Sequence, residues 1–362
     1  MQPGICLTLA LPALVLLGQP AQNQAPMSQN QPPPQQQGPP VARELPGRTL
    51  PVPTADVSPE TQRVIGGPPP ANWNAIPQTA EEWTAAAGRG GGAPGGIGPG
   101  NQALLDRFGV KSEPVTINGV AAYMLTPKDL APENRNRLAV HVHGGCYVMG
   151  GGGTAEGIYL AGFGRMKVLS IDYRRPPAAF YPAALDDVVA AWKGAIKTTN
   201  PKNMAMIGLS AGGALTLSAV LRLKQEGAPL PAAIAPGTPM ADLTGGGDSF
   251  HTNHMVDNVL VGVGRCDAMA KFYANGHDLK DPMLSPIYGD MSGFPPAILI
   301  TGTRDLLLSS TVRVHRKLRQ AGVDAQLHVF EGQSHAQYNR DSPEGKDAYE
   351  EIARFFDKYL GK

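Results

Sequence analysis

The chain has 362 residues, 31 basic against 30 acidic side chains, a formal net charge of +1 and a 42% apolar composition. That length and apolar share suffice for one large domain or two modest ones. The balanced charge excludes a basic stripe for nucleic acid and a polybasic membrane anchor, so the expected partner is a small neutral molecule.

The first elements differ from everything after them. Residues 5–17, ICLTLALPALVLL, are too short to span a bilayer and match the apolar core of a signal peptide. Small residues at Gly18 and Ala21 offer a cleavage zone. Residues 1–21 are therefore expected to be a signal peptide and the protein periplasmic or secreted, with no stable membrane insertion of the mature chain. No Lys or Arg precedes Arg43, which leaves an uncleaved stub on a cytoplasmic protein as the alternative. Cys6 lacks the small residues of a lipoprotein signal before it, so no lipid anchor is expected. Residues 22–50 open on an uncharged Pro/Gln-rich stretch that cannot offset its ordering entropy, and they read as a disordered leader. Beyond it only Cys146 and Cys266 remain. Two cysteines make no disulfide framework, so free thiols are expected.

Residues 51–110 carry two short helical patterns, SPETQRVIG and TAEEWTAAAG, then GRGGGAPGGIGPG. The glycine run lacks the Gly-Lys-Ser/Thr ending of a phosphate loop. This region reads as an N-terminal cap or lid with a mobile glycine hinge.

Residues 111–362 alternate strands with helices. VTINGVAAYMLTP predicts a hairpin, and LAVHVHG, KVLSIDY, NMAMIGLS, AAIAPGTP, PAILITGT and GVDAQLHVF predict further strands. Helices are predicted over 182–198, where Leu185, Val188, Val189, Trp192 and Ile196 share a face, and over 211–224, 309–320 and 343–360. Pro343 after Ser342 suits a first helical position. The fold class is α/β, a mostly parallel sheet covered on both faces. A helical insertion over the sheet edge is expected at about residues 245–277.

The strongest chemical signal is GLSAG, residues 208–212, between a predicted strand and a predicted helix. That is the setting of a Gly-x-Ser-x-Gly elbow, whose sharp turn projects Ser210 and aims the Ala211 N–H at a forming oxyanion. A serine nucleophile needs a base, and the base needs an orienting acid. Asp305 follows the strand PAILITGT, and His335 follows the next strand, in the chain order such enzymes use. Glu331, on the His335 loop itself, is the rival acid. HGGCY, residues 143–147, follows a buried strand upstream of the elbow, where further oxyanion donors belong. The main-chain N–H groups of Gly144, Gly145 and Cys146 would complete the hole beside Ala211. The Cys146 side chain is then a spectator thiol, and His143 braces the loop through its ring nitrogens.

HGGCY, DYRRPPAAFYPAALDD, GLSAGG and DPMLSPIYGDMSGFPPAILITGTRD, in that order, resemble the hormone-sensitive-lipase-like branch of the α/β-hydrolases, the bacterial family IV esterases. Within it the chain is most similar to monoterpene ε-lactone hydrolases and short-chain carboxylesterases. The resemblance covers about residues 110–360. It implies an eight-stranded sheet, a cap built from N-terminal helices plus an insertion, a Ser210–Asp305–His335 triad, and no cofactor. Four positions depart from the family pattern. Cys146 replaces the usual glycine, Ala178 a glutamate, Ser309 or Ser310 a second acid, and Gln337 an aromatic residue. None of these removes a catalytic atom.

His141 with His143, and His251 with His254, lack companion ligands at metal-site spacing, so no metal is expected. Asp186 and Asp187 suit a helix N-terminus rather than paired-carboxylate chemistry. The resulting expectation is a serine carboxylesterase of short to medium acyl esters or lactones. The alternatives are a non-hydrolytic receptor on the same scaffold, which the presence of His335 opposes, and an amidase or peptidase.

Overall fold

The computed structural model describes residues 49–53, 55–88 and 99–361, with Met1 and Gly47 at isolated positions. The expected signal peptide, the leader and most of the glycine run lie outside these residues. Leu50–Lys362 clusters as one unit.

Strands β1 (Val110–Ile117) and β2 (Val120–Pro127) pair antiparallel in register Val115 with Ala122. They are joined by Asn118 and Gly119, at φ 48° and 86°. Positive φ at both central residues matches the right-handed twist of a hairpin, and Asn-Gly supplies it at least cost. Then come β3 (Leu138–Val142), β4 (Lys167–Ile171), β5 (Met204–Leu209), β6 (Ala233–Gly237), β7 (Ala297–Gly302) and β8 (Ala325–Phe330). The spatial order is β1-β2-β4-β3-β5-β6-β7-β8. β2 meets β4 antiparallel, and every pair from β4 to β8 is parallel. The carboxyl ends of β3, β5, β6, β7 and β8 therefore share one edge of the sheet, where sites of open α/β sheets collect.

Helices cover both faces because neighbouring strand residues point to opposite sides. In β7, Ala297 and Leu299 join one core with Trp192, Leu215 and Val314, while Ile298 and Ile300 join the other with Ile158, Ile352 and Phe356. The first core is closed by α5 (Ala183–Ala195), α6 (Ala211–Gln225) and α9 (Leu308–Gln320). The second is closed by α3 (Pro99–Phe108), α4 (Ala155–Phe163) and α10 (Pro343–Tyr359). Each large side chain so buried contributes ~1.5–3 kcal/mol.

Two short helices precede the sheet, α1 (Pro59–Ile65) and α2 (Ala80–Ala87), each opened by a hydroxyl cap, Ser58 and Thr79. Glu344 in the first turn of α10 accepts the Ser58 N–H and the Thr61 hydroxyl, both at 2.6 Å, which pins α1 to the helices that cover the sheet. The expected insertion holds α7 (Ser249–Thr252) and α8 (Arg265–Ala274). Trp83 of α2 stacks on Phe272 of α8 with ring centroids 3.9 Å apart.

Candidate active site

Ser210 stands between β5 and α6 at φ 59°, ψ −120°, a conformation rarely adopted by a residue with a Cβ. Its N–H donates to Gly237 O and its carbonyl accepts from Met240 N–H across the sheet edge and from Ala214 N–H within α6. Glycine is obligatory on either side. A Cβ on Gly208 would lie 2.3 Å from Gly212 O, and one on Gly212 would lie 2.0 Å from Val142 O. The Ser210 side chain is 6% exposed and its hydroxyl donates to no acceptor among the described residues.

The clasp on Ser210 leads to the other two expected residues. Thr238 lies between Gly237 and Met240, and its hydroxyl donates to Asp305 Oδ2 while lying 3.2 Å from His335 Nδ1. Thr301 adds a second hydroxyl to Oδ2 at 3.0 Å. Asp305 Oδ1 accepts the Leu307 N–H at 2.8 Å and faces His335 Nδ1 at 3.0 Å. A carboxylate accepts only, so Nδ1 carries the proton and Nε2 presents its lone pair. Burial disfavours charge on His335, but the Asp305 charge and hydrogen bond, with Asp257 and Glu156 beyond, outweigh it and raise its pKa above the ordinary histidine value. Glu331, the rival acid, is exposed. The structure joins Asp305 and His335 directly, and it links Ser210 to them through the 237–240 segment with no hydrogen bond between Ser210 and His335.

The loop after β3 requires two corrections. Cys146 and Cys266 are not free thiols: they form a disulfide with Cα atoms 5.4 Å apart. Spacing of 120 residues carries no sequence signal, and only the fold brings them together. The sulfur of Cys146 is thus unavailable as a thiolate nucleophile, and it is not an idle spectator either. The second correction concerns the donor set. The Gly144 N–H already faces Glu156 Oε1 at 3.4 Å, whereas the N–H groups of Gly145, Cys146 and Ala211 have no acceptor among the described residues. Gly145, Cys146 and Tyr147 run through φ 107°, 52° and 65°.

His143 supports this loop by one ring nitrogen rather than two. Nδ1 lies 2.7 Å from Gly144 O, while buried Nε2 has no partner and the ring stacks on Tyr173 at 4.0 Å. Burial, then the Arg175 charge, push its pKa well below the ordinary value, so it stays neutral. Glu156 holds the loop from beneath, with Oε2 2.8 Å from His141 Nε2 and His141 Nδ1 2.8 Å from Ser170 Oγ.

Sequence reading missed Asp257. This fully buried carboxylate in the insertion accepts four main-chain N–H groups: Leu306 at 2.8 Å and His335 at 3.1 Å on Oδ2, Val259 at 2.8 Å and Leu260 at 3.0 Å on Oδ1. A lone acid in an irregular stretch gives no periodic cue.

The departures from the family pattern find local explanations. Ser310 donates to Pro239 O at 2.8 Å and accepts from Ala241 N–H at 3.2 Å, and Ser309 exchanges hydrogen bonds with Ser249. Gln337 bonds Ser334 N–H and Asn258 Oδ1, and Asn258 in turn donates to Val64 O and Gly67 O after α1. Ala178 is exposed. His254 sits edge-on to Trp73 with centroids 6.0 Å apart.

A family model described as the alpha/beta hydrolase fold matches residues 139–339. An acetyl-hydrolase of Streptomyces hygroscopicus is 30% identical over 231 residues, covering 62% of this chain and 77% of that protein. An esterase of Acinetobacter venetianus is 29% identical over 253 residues, covering 68% and 82%. The crystal structure of an esterase, E25, superposes with a TM-score of 0.82 at 39% identity, covering 88% of this chain and 99% of that one. An esterase from the bacterial hormone-sensitive lipase family superposes with a TM-score of 0.68 at 28% identity, covering 84% and 99%. With the matched model, the eight-stranded sheet and the elbow in agreement, the chain belongs to the hormone-sensitive-lipase-like, family IV esterases of the α/β-hydrolase superfamily.

Proposed function

We propose that this carboxylesterase works through a Ser210–His335–Asp305 triad on short to medium acyl esters or lactones. Ser210 Oγ attacks the ester carbonyl as His335 Nε2 takes its proton. The tetrahedral oxyanion accepts N–H groups from Ala211, Gly145 and Cys146, and each such donor is worth ~3–4 kcal/mol of barrier. The proton on Nε2 then passes to the leaving alkoxide, and the acyl group stays on Ser210. Water, deprotonated by His335, releases the acid and restores the serine. Asp305 holds the Nδ1–H tautomer throughout. The observation that carries this reading is the 3.0 Å His335–Asp305 hydrogen bond beside a serine held at positive φ on a strand–helix turn.

The space beside the loop after β3 is the candidate seat for the acyl or alcohol group, because Cys146 and Met149 of that loop line it. An open cavity of about 650 Å³, its mouth included, is lined by Trp73, Met149, Val261, Met269 and the disulfide. Asn72 and Arg265 are the polar members of a lining that is otherwise apolar, which favours an acyl or alcohol group with little charge. In this reading α1 and α2, with the insertion at 245–277, form the cap over the site. A p-nitrophenyl ester series from acetate to decanoate, with a lactone alongside, tests the reading: turnover should peak at short to medium chains and vanish in Ser210→Ala.

Export of the protein is supported by the disulfide, since such bonds persist in oxidising compartments. Sequencing the N-terminus of the mature protein tests cleavage near Ala21.

A further inference from the structure

Two consecutive residues of the oxyanion loop are tied to one side of a single helix. Cys146 is bonded to Cys266 in the first turn of α8, and Tyr147 stacks on Tyr273 with centroids 4.5 Å apart and planes 1° from parallel. Positions 266 and 273 are two turns apart, so both anchors fall on the same side of α8. Cys146, Tyr147 and Tyr273 are buried, at 4%, 2% and 1% exposure, Cys266 is half-buried, and Met269 and Trp83 belong to the same apolar cluster as the cysteines.

The backbone at 146 gives this tether its purpose. Cys146 lies at φ 52° between Gly145 and Tyr147, which are also positive. Side chains with a Cβ leave the left-handed region unless something holds them there, whereas glycine occupies it freely. A glycine at 146, as the family usually carries, needs no support. A cysteine does.

We infer that Cys266 is a positioning residue for ester hydrolysis: through its bond to Cys146 it fixes the left-handed backbone at 146 and aims that residue's N–H at the oxyanion. The inference rests on the reading of Cys146 N–H as an oxyanion donor. It makes the insertion helix part of the catalytic apparatus rather than only a pocket wall, because the wall and the donor share a covalent bond. Reduction, which delivers two electrons and two protons and leaves two thiols, releases the donor while leaving Ser210, His335 and Asp305 in place.

The test uses the full-length enzyme, reduced with a phosphine, with thiols counted and far-UV circular dichroism recorded below the melting temperature. Three quantities are compared between oxidised and reduced protein: kcat, KM for p-nitrophenyl butyrate, and affinity for a trifluoromethyl ketone of the same chain. The ketone adds Ser210 to form a tetrahedral oxyanion, so it reports the donor rather than the ground state. Reduction should lower kcat about tenfold with KM changed less than about twofold, and should weaken the ketone by the same factor as kcat, since a misplaced donor is weakened in the transition state rather than removed from it. Cys266→Ser should show the same values without reductant and no further response to it. If that variant does not fold, Cys146→Ala combined with Cys266→Val, which fills the seat with apolar volume, takes the same measurements. A folded, fully reduced enzyme with wild-type kcat and ketone affinity and only a lower melting temperature overturns the inference, because the bond would then be a staple alone. Ser210→Ala separates the two readings: activity in that variant removes the triad, whereas a redox-insensitive wild type removes only the role of Cys266.

Discussion

The carboxylate of Asp257 accepts the main-chain N–H of His335 at 3.1 Å, and the same oxygen accepts the N–H of Leu306 at 2.8 Å. One buried side chain in the insertion thus fixes the loops that carry both the expected base and its acid. Asp257→Asn keeps the shape but turns an acceptor of four N–H groups into a group with its own two donors. Leaving buried donors unpaired costs ~1–3 kcal/mol each, so the melting temperature should fall. The loss of charge near His335 should also lower its pKa. The expected outcome is kcat lower by about ten- to a hundredfold, since small misplacements of reacting groups cost that much, with the acid limb of the pH profile moved down. Stopped assays across pH with thermal denaturation alongside check it, and an unchanged acid limb would make Asp257 purely structural.

The pH dependence has a definite sign. In the proposed triad His335 must be neutral to accept the serine proton, and Asp305 holds its pKa above the ordinary value despite burial. kcat/KM should therefore fall on acidification with a midpoint above pH ~6.5. For stability the sign is opposite to that for activity. A raised folded pKa contributes stability that is fully present below the unfolded value and is lost as pH rises through the folded one. The His335–Asp305 pair should stabilise least at alkaline pH, where the enzyme is most active. Asp305→Asn should move the acid limb to lower pH and reduce kcat by about 10⁴, the cost of the wrong tautomer. The pH profiles of both proteins, with melting curves over the same range, measure both signs.

Gly212→Ala should be among the most damaging single-methyl additions in the chain. Its Cβ would meet Val142 O at 2.0 Å, and backbone on both sides cannot yield as a flexible side chain would. Overpacking of this kind costs at least ~1–3 kcal/mol, so the variant should melt several degrees lower or fail to accumulate. Gly227→Ala, with nothing within 4 Å but φ 62°, is the control for strain without a clash and should cost less. Differential scanning calorimetry of the two variants decides the comparison, and an equal loss in both would mean the close approach at Gly212 matters little.

What was legible in the sequence was whatever had a period or a punctuated motif. The strand runs and the amphipathic helices α9 and α10 lie where their apolar spacing puts them, and GLSAG lies on the strand–helix turn its glycines require. Helix α4 escaped notice because Gly157 to Ala161 are all buried, so the segment has no polar face to mark a 3.6-residue rhythm. Cys146 with Cys266, Asp257 with His335, and Gly144 with Glu156 escaped for another reason. Each pairs irregular segments that only the folded sheet edge brings together, and local patterning carries no trace of such contacts.

Covalent trapping identifies the nucleophile at the residue itself, here proposed to be Ser210. The full-length enzyme is treated with a fluorophosphonate, digested, and mapped by mass spectrometry, with turnover of p-nitrophenyl butyrate measured on wild type and Ser210→Ala. The alanine removes one hydroxyl from a 6% exposed side chain and opens no core cavity, so the fold should persist. The account predicts one adduct, on the peptide bearing Ser210, and neither adduct nor turnover in the folded variant. An adduct on another residue, or a folded Ser210→Ala protein retaining more than about a tenth of wild-type activity, would contradict it.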